Sequence, residues 1–386
     1  MNKFNPEKVK SLNKLNHILN FFFHTKKAKK SINWALVRNI LVLDFTNIGD
    51  LIMLIPFLKI LRNNAPMAKL FLCCNMFGKD VLEEQGLVDS FYLLDGLHSL
   101  NTPKNMLKNR KMLRGKIQEI NRERFDVILE PRGDLRYIFF MHFLNGKRKV
   151  SYNYTGGEEF LTDVVLPDPK VKHLIEDKMV FLEKIGCTFK EKEQFPKLQL
   201  TEEGKAYNQA FMKKYNITKD KRVIGIHPGA SWENKRWKHY PELIKKIFTA
   251  YPESTFLVFS AKGEEEYANA VCRAAGTIGA NYILVSENLR NYIRIMEVCD
   301  IVVCNDSGAA HIAAGYGCYV TVIYGPFFPD LCQPPGKKVK TIFHTLGCKP
   351  CMDSECKKGR AECIDGININ EVWSVVREQL GELDKG

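Results

Sequence analysis

From Arg38 onward the chain alternates short apolar runs with stretches of helical spacing. The run NILVLDF reads as a buried strand, TNIGD as a turn, and LIMLIPFLKILRNN as a helix ending before Pro66. Strand KLFLCC, a helix near 77–86, strand SFYLLD, a basic helix near 104–122, strand DVILE, a helix near 134–144 and strand KVSYN follow. A second series opens at RVIGIHPG. It continues through helix 239–250, strand TFLVFS, helix 263–275, strand YILV, helix 288–298, strand DIVVCN, helix 307–315 and strand YVTVIYG. Strands alternating with helices predict parallel sheets wrapped by helices. Pro56 breaks the pattern inside its helix, so a kink or a later start is expected there.

Between the two series, residues 187–220 are polar and weakly patterned, and the domain boundary belongs there. The predicted organisation is a first α/β domain over 38–200, a second over 201–366, and a terminal amphipathic helix over 367–386. Residues 1–37 differ. Val9, Leu12, Leu15, Leu19 and Phe22 recur at three- and four-residue steps, flanked by Lys8, Lys10 and Lys14 and followed by Lys26, Lys27, Lys29 and Lys30. Such a basic amphipathic segment lies in a membrane interface, or docks on the protein, or forms a frayed tail. It makes a poor signal peptide, because the apolar stretch near Ile18–Phe23 is short and no small-residue cleavage site follows.

In open α/β sheets, ligands bind beyond the carboxyl ends of the strands. Three polar clusters fall there. The first is Asn47-Ile48-Gly49-Asp50. Gly49 permits a tight turn, and Asp50 reads either as a helix cap or as a general base. The second is HPGASWENKRW, residues 227–237. Gly229, Ala230 and Ser231 form a small-residue loop able to line a phosphate, Lys235 and Arg236 add charge, and Trp237 reads as a packing anchor; the plainer reading is a solvated basic loop. The third is Asn305-Asp306-Ser307-Gly308. It is either a set of helix caps or, with the free N–H groups of the next helix, an anion cradle. Asp306 then caps the helix or holds a sugar hydroxyl. His311, on the first turns, is a ligand contact or a structural hydrogen-bonder.

Composition narrows the chemistry. The 386 residues carry 57 Lys+Arg against 44 Asp+Glu, a formal charge of +13, which favours polyanionic partners. No zinc finger, RRM or helix-turn-helix pattern accompanies it, so nucleic acid is not expected. No G-x-G-x-x-G or Walker A sequence occurs, so dinucleotide and P-loop sites are unsupported. No apolar run reaches the ~18–20 residues of a membrane span.

The series strand–IGD–helix, HPG…KRW and NDSG..HIAA…YGP resembles glycosyltransferase family 9, the ADP-heptose:lipopolysaccharide heptosyltransferases, over roughly residues 38–380. Where that family usually has Asp-Thr-Gly, this chain has Asp306-Ser307-Gly308, and Lys238 stands where Pro often follows Lys-Arg-Trp. The resemblance implies an α/β GT-B fold: two Rossmann-like domains facing across a cleft, with the last helix returning to the first domain. It implies inverting, metal-independent transfer of heptose from ADP-heptose to a lipid A-core-like glycolipid, with no cofactor. The absence of a D-x-D sequence agrees with this. By position, Asp50 would be the base, Lys235, Ser307, Gly308 and Ser231 would hold the diphosphate, and Asp306, His311 and Glu264 would contact donor sugar or ribose. The expected place is the cytoplasmic side of the inner membrane, peripheral on an anionic surface. A nucleotide-sugar epimerase of the same fold and a catalytically silent nucleotide- or glycan-binding protein are the alternatives.

Eight of the 12 cysteines sit in apolar segments and read as small buried hydrophobes of a reducing compartment. The others, Cys348, Cys351, Cys356 and Cys363, are spaced C-x2-C-x4-C-x6-C. Structural zinc, an iron–sulfur cluster, disulfides and plain thiols are the readings of that spacing. Members of the family carry a similar segment, and its expected role is structural.

Overall fold

The computed structural model describes residues 12, 16, 24–95, 103–218, 220–276, 282–348 and 351–385, with only the backbone course of 103–108 and 192. The chain divides into two compact units, Met1–Phe195 and Pro196–Gly386. The first unit contains β1 (Asn39–Asp44), α1 (Ile48–Ile52), α2 (Ile55–Asn64), β2 (Lys69–Cys74), α3 (Met76–Leu82), β3 (Ser90–Leu93), α4 (Pro103–Ile120), β4 (Phe125–Glu130), α5 (Leu135–His142), β5 (Gly146–Tyr152), β6 (Asp163–Val165) and α6 (Leu174–Lys184). The second contains α7 (Glu202–Lys214), β7 (Val223–His227), α8 (Tyr240–Ala250), β8 (Thr255–Phe259), α9 (Glu265–Ala275), β9 (Tyr282–Val285), α10 (Leu289–Met296), β10 (Ile301–Asn305), α11 (Gly308–Tyr316), β11 (Tyr319–Tyr324), α12 (Pro329–Cys332), β12 (Val339–Phe343), α13 (Glu362–Asp365) and α14 (Ile369–Leu383).

Each unit is built on one six-stranded sheet, ordered β3-β2-β1-β4-β5-β6 in the first and β12-β11-β10-β7-β8-β9 in the second. All ten named pairings are parallel. Both orders are the doubly wound order, so each sheet reverses direction once, between β1 and β4 and between β7 and β10. The central strands are buried at all but one position each in the first sheet and throughout in the second, as expected where helices cover both faces. Each edge strand that the pattern misses has a reason. β6 is three residues long, and β12 is half-buried with Lys and Thr interleaved. Helix α7 lies in the polar stretch assigned to the boundary. It buries only a narrow face, so its apolar signal is weak.

Pro56 resolves as a new start rather than a kink. Helix α1 ends at Ile52, and α2 begins at Ile55 with Pro56 in its first turn, where a missing N–H costs nothing. Most of residues 1–23 lies outside the described residues. Of the rest, Leu12 is buried in the core under the first sheet, and Asn16 Oδ1 accepts the Gly157 N–H at 2.8 Å. Thr25 and Ala28 donate backbone bonds to Glu159 and Thr162. These parts of the extension dock on the first unit.

One expectation needs correction. The terminal helix, expected to return to the first domain, packs into the core of the second. Val372, Val376 and Leu380, four residues apart on one face of α14, are fully buried with Trp237, Leu243 and Ile247. Gln379, also fully buried, accepts from Thr321 Oγ1 at 2.6 Å and donates to the Val320 and Lys338 carbonyls at 3.2 and 2.9 Å. The amide thus sews the helix to β11 and to the start of β12. Replacing Gln379 by Ala should take the acceptor from the buried Thr321 hydroxyl and one donor from each of the two carbonyls, and cost about 1–2 kcal/mol. Urea unfolding of the variant against the natural chain would measure it.

Candidate functional site

In the second unit the site grows from the end of β10. Asn305 is fully buried, and its amide uses both ends. Oδ1 accepts from the Trp237 N–H at 3.1 Å and from the Tyr240 hydroxyl at 3.0 Å. Nδ2 donates to the Pro228 and Gly229 carbonyls at 2.7 and 3.1 Å. One side chain therefore fixes both ends of the loop between β7 and α8. Trp237 is the anchor its position suggests: it is fully buried, and its indole N–H donates to the Ile367 carbonyl at 2.8 Å.

That loop carries the cations. Lys235 Nζ donates to Asp306 Oδ2 at 2.7 Å, and both side chains are only about a tenth exposed. The ammonium also lies 4.1 Å from the centre of the Phe327 ring and 5.2 Å from that of Trp232. The two rings stand 5.4 Å apart. Such a cage holds a desolvated cation by charge and by ring quadrupoles. Arg236 donates to the Ala230 carbonyl at 3.0 Å and to Glu264 Oε1 at 2.9 Å. A Cβ on Gly229 would stand 2.1 Å from Glu264 Oε2, so the glycine makes room for that carboxylate. Behind it, His227 is buried against the Tyr292 hydroxyl at 3.0 Å, and burial pushes its pKa down, towards the neutral imidazole. Ser231 stands exposed on the same loop.

The third cluster departs from simple capping. Ser307 holds the N-cap position of α11, yet its side chain makes no cap bond. Its Oγ is buried and has no hydrogen-bond partner. Asp306 does not cap the helix either; it faces Lys235. Gly308 opens the helix, and His311 is buried one turn in. The result is a helix start with free backbone donors, an orphaned hydroxyl and a lysine ammonium reached through one carboxylate. These are the parts of an anion site.

In the first unit Asp50 lies in the first turn of α1, three residues past the N-cap Asn47, and makes no capping bond. Its side chain is 16% exposed, with Arg132 Nη1 at 3.8 Å. The turn before it is set by Asp44. One carboxyl oxygen of Asp44 accepts from the Thr46 N–H at 3.0 Å and from the Thr46 hydroxyl. Burial raises the Asp44 pKa, against the pull of the nearby Lys178 ammonium. Arg132 is carried by the loop after β4, and fully buried Glu130 holds that loop. Glu130 Oε2 accepts from the Gly133 N–H at 2.6 Å and the Ser151 hydroxyl at 2.7 Å, while Oε1 has no partner. Burial lifts this carboxyl to about 8, with the Ser151 bond opposing.

The sequence reading missed Arg132, Glu130, Lys178 and the pinning role of Asn305. Pro131-Arg132-Gly133-Asp134 follows β4 just as the other clusters follow their strands, so the same strand-end rule applied once more would have found it. Lys178 lies mid-helix in α6 and carries no such signal.

The cysteine segment resolves in part. Cys348, Cys351, Cys356 and Cys363 line one small cavity of ≈ 30 Å³, and none of the 12 cysteines forms a disulfide. Among the described residues no group of three or more His, Cys, Asp or Glu is arranged to hold a metal ion, so the structural-zinc reading finds no support.

Two doubly wound units, each with polar clusters beyond the carboxyl ends of its central strands, define a fold of two Rossmann-like halves. The description "Glycosyltransferase family 9 (heptosyltransferase)" matches residues 114–362, more than half of the chain, and the protein belongs to that family. It is 27% identical over 184 residues to lipopolysaccharide heptosyltransferase 2 of Escherichia coli (strain K12), which covers 46% of this chain and 51% of that one. The chain spans about half the length of the curated relatives it matches first. Among solved structures, the family 9 glycosyl transferase of Veillonella parvula superposes with a TM-score of 0.76 at 19% identity, covering 92% of this chain and all of that one. Escherichia coli ADP-heptose lps heptosyltransferase II gives 0.73 at 18%, covering 90% and 99%. These likenesses show the GT-B fold.

Two outcomes follow from the geometry. Asn305→Ala should strand four buried partners and cost about 3 kcal/mol or more, read by chemical denaturation. Glu130 favours the folded state at low pH. Its folded pKa of about 8 lies above the ordinary 4.5, so the stability it lends is complete below 4.5 and lost as pH rises to about 8. Glu130→Gln removes that titration, so its melting temperature should fall less than the natural chain's across this window.

Proposed function

We propose that the protein is an inverting, metal-independent glycosyltransferase that moves heptose from ADP-heptose onto a lipopolysaccharide-core acceptor. The observation that carries this reading is the Lys235–Asp306 pair at the foot of α11, beside the unpartnered Ser307 hydroxyl. Breaking a glycosyl–phosphate bond leaves negative charge on the diphosphate, and preorganised donors must meet it. On donor binding Lys235 exchanges Asp306 for the diphosphate, Ser307 Oγ gains its missing partner, and the N–H groups from Gly308 onward complete the cradle. Asp306, released, accepts from a hydroxyl of the donor sugar, with His311 supporting it. Ser231 adds a hydroxyl from the loop, and Glu264, fixed by Arg236, takes the ribose hydroxyls.

Asp50 is the base. It takes the proton of the acceptor hydroxyl as the oxygen attacks the anomeric carbon from the face opposite the diphosphate, which inverts that centre. Arg132 aims the carboxylate until the acceptor arrives. The acceptor is an anionic glycolipid. The exposed Arg110, Lys111 and Arg114 of α4, on a chain of net charge +13, suit work at an anionic membrane surface on the cytoplasmic side. Among the described residues no helix is long and apolar enough to cross a membrane.

Transfer from ADP-heptose is the test. Lys235→Ala should lower turnover by about 10²–10³-fold, the range for losing one leaving-group donor. Asp50→Asn should abolish transfer while ADP still raises the melting temperature. Failure of ADP to protect the natural chain from unfolding would reject the donor, and UDP-, GDP- and CMP-sugars would be screened next.

A further inference from the structure

The cysteine cavity is lined by chain neighbours of the Lys235 cage. Asn234, next in the chain to Lys235, lines it, and so does Pro326, next to Phe327. Asn234 Nδ2 donates to the Asp353 carbonyl at 2.9 Å, while its Oδ1 is buried without a partner. The Met352 N–H reaches the Pro326 carbonyl at 3.3 Å. The cysteine segment is therefore bonded to both pieces of chain that position the ammonium and its ring.

The thiols themselves are placed for chemistry. Cys348 is exposed, and Cys351, Cys356 and Cys363 are half-exposed, whereas the cysteines numbered 73 to 318 are all buried. Lys358, Arg360 and Glu362 line the same cavity, so the four sulfurs share a polar, solvent-reachable pocket. No metal-holding arrangement occupies these sulfurs among the described residues.

We propose that this pocket is an oxidation site at which a peroxide joins Cys348 to one of the other three cysteines, loosening the Lys235 cage. The thiolate of Cys348 attacks the peroxide, breaks its O–O bond and becomes a sulfenic acid, releasing hydroxide (or an alkoxide). A second thiol of the pocket then displaces water and forms the disulfide. Two electrons pass from the sulfur pair to the peroxide, and a dithiol reductant reverses the step. Drawing two sulfurs together contracts the segment, which pulls on Asn234 through Asp353 and on Pro326 through Met352. The consequence for Lys235 rests on the diphosphate role proposed above; the thiol chemistry does not.

The experiment treats the reduced full-length chain with hydrogen peroxide, maps disulfides by peptide mass spectrometry, and follows Trp232 emission by difference against Trp232→Phe. ADP affinity is titrated before and after oxidation. The expected result is a dithiothreitol-reversible disulfide containing Cys348, lost in Cys348→Ser and kept in Cys332→Ser. Trp232 emission should shift, and ADP affinity should fall roughly tenfold, the loss of about one charge-assisted contact. No disulfide among the four cysteines, or a tightly retained metal ion that shields them, would overturn the site. A disulfide that leaves Trp232 emission unchanged would overturn the coupling. If neither form binds ADP, the donor assignment falls, and the disulfide map and Trp232 emission still decide this proposal.

Discussion

Much of the second unit depends on one buried amide. Asn305 sits at the last position of the central strand, where a doubly wound sheet opens its crevice. Its two acceptor and two donor bonds are all made to other elements, none to its own strand. An apolar residue would leave Pro228, Gly229, Trp237 and Tyr240 with unmet polar groups in a dry core, and a carboxylate would face two carbonyls. Asparagine is the side chain that offers both polarities from one plane. The loop it pins carries Lys235 and Arg236. The positions of both cations are thus inherited from a residue that need touch no ligand.

The same division of labour recurs in the first unit. Glu130, buried at the end of β4, holds the turn that brings Arg132 to Asp50. Asp44, buried at the end of β1, holds the turn that opens α1. In each case a buried polar group at a strand terminus satisfies the first free N–H groups beyond it. The candidate site residue, only partly exposed, lies a few residues further on. Buried carboxyls are costly unless paired or protonated, and Glu130 meets that cost by keeping its proton at neutral pH.

Two ion pairs hold the cations of the loop between β7 and α8. Lys235 on Asp306 and Arg236 on Glu264 are close and poorly solvated. Each carboxylate keeps its cation oriented and compensates its charge where little water reaches it. Ser307 has no such partner, which makes its hydroxyl the least satisfied group of the cradle.

The alternation of apolar runs and amphipathic stretches determined two α/β units, their strands and the three strand-end clusters, because a buried parallel strand must be apolar along its length and a polar turn must follow it. Edge strands β6 and β12 escaped, since half-buried pairing leaves no apolar run. Helix α7 escaped because a narrow buried face is a weak signal. The identity of Asp50, Lys235 and Ser307 as candidates was legible, as was Trp237 as an anchor. Their partners were not. Lys235 meets Asp306 across 71 positions, and Glu264 meets Arg236 across 28. The direction taken by α14 was also decided in three dimensions: an amphipathic helix states that it must bury one face, and only the open flank of the second sheet states where.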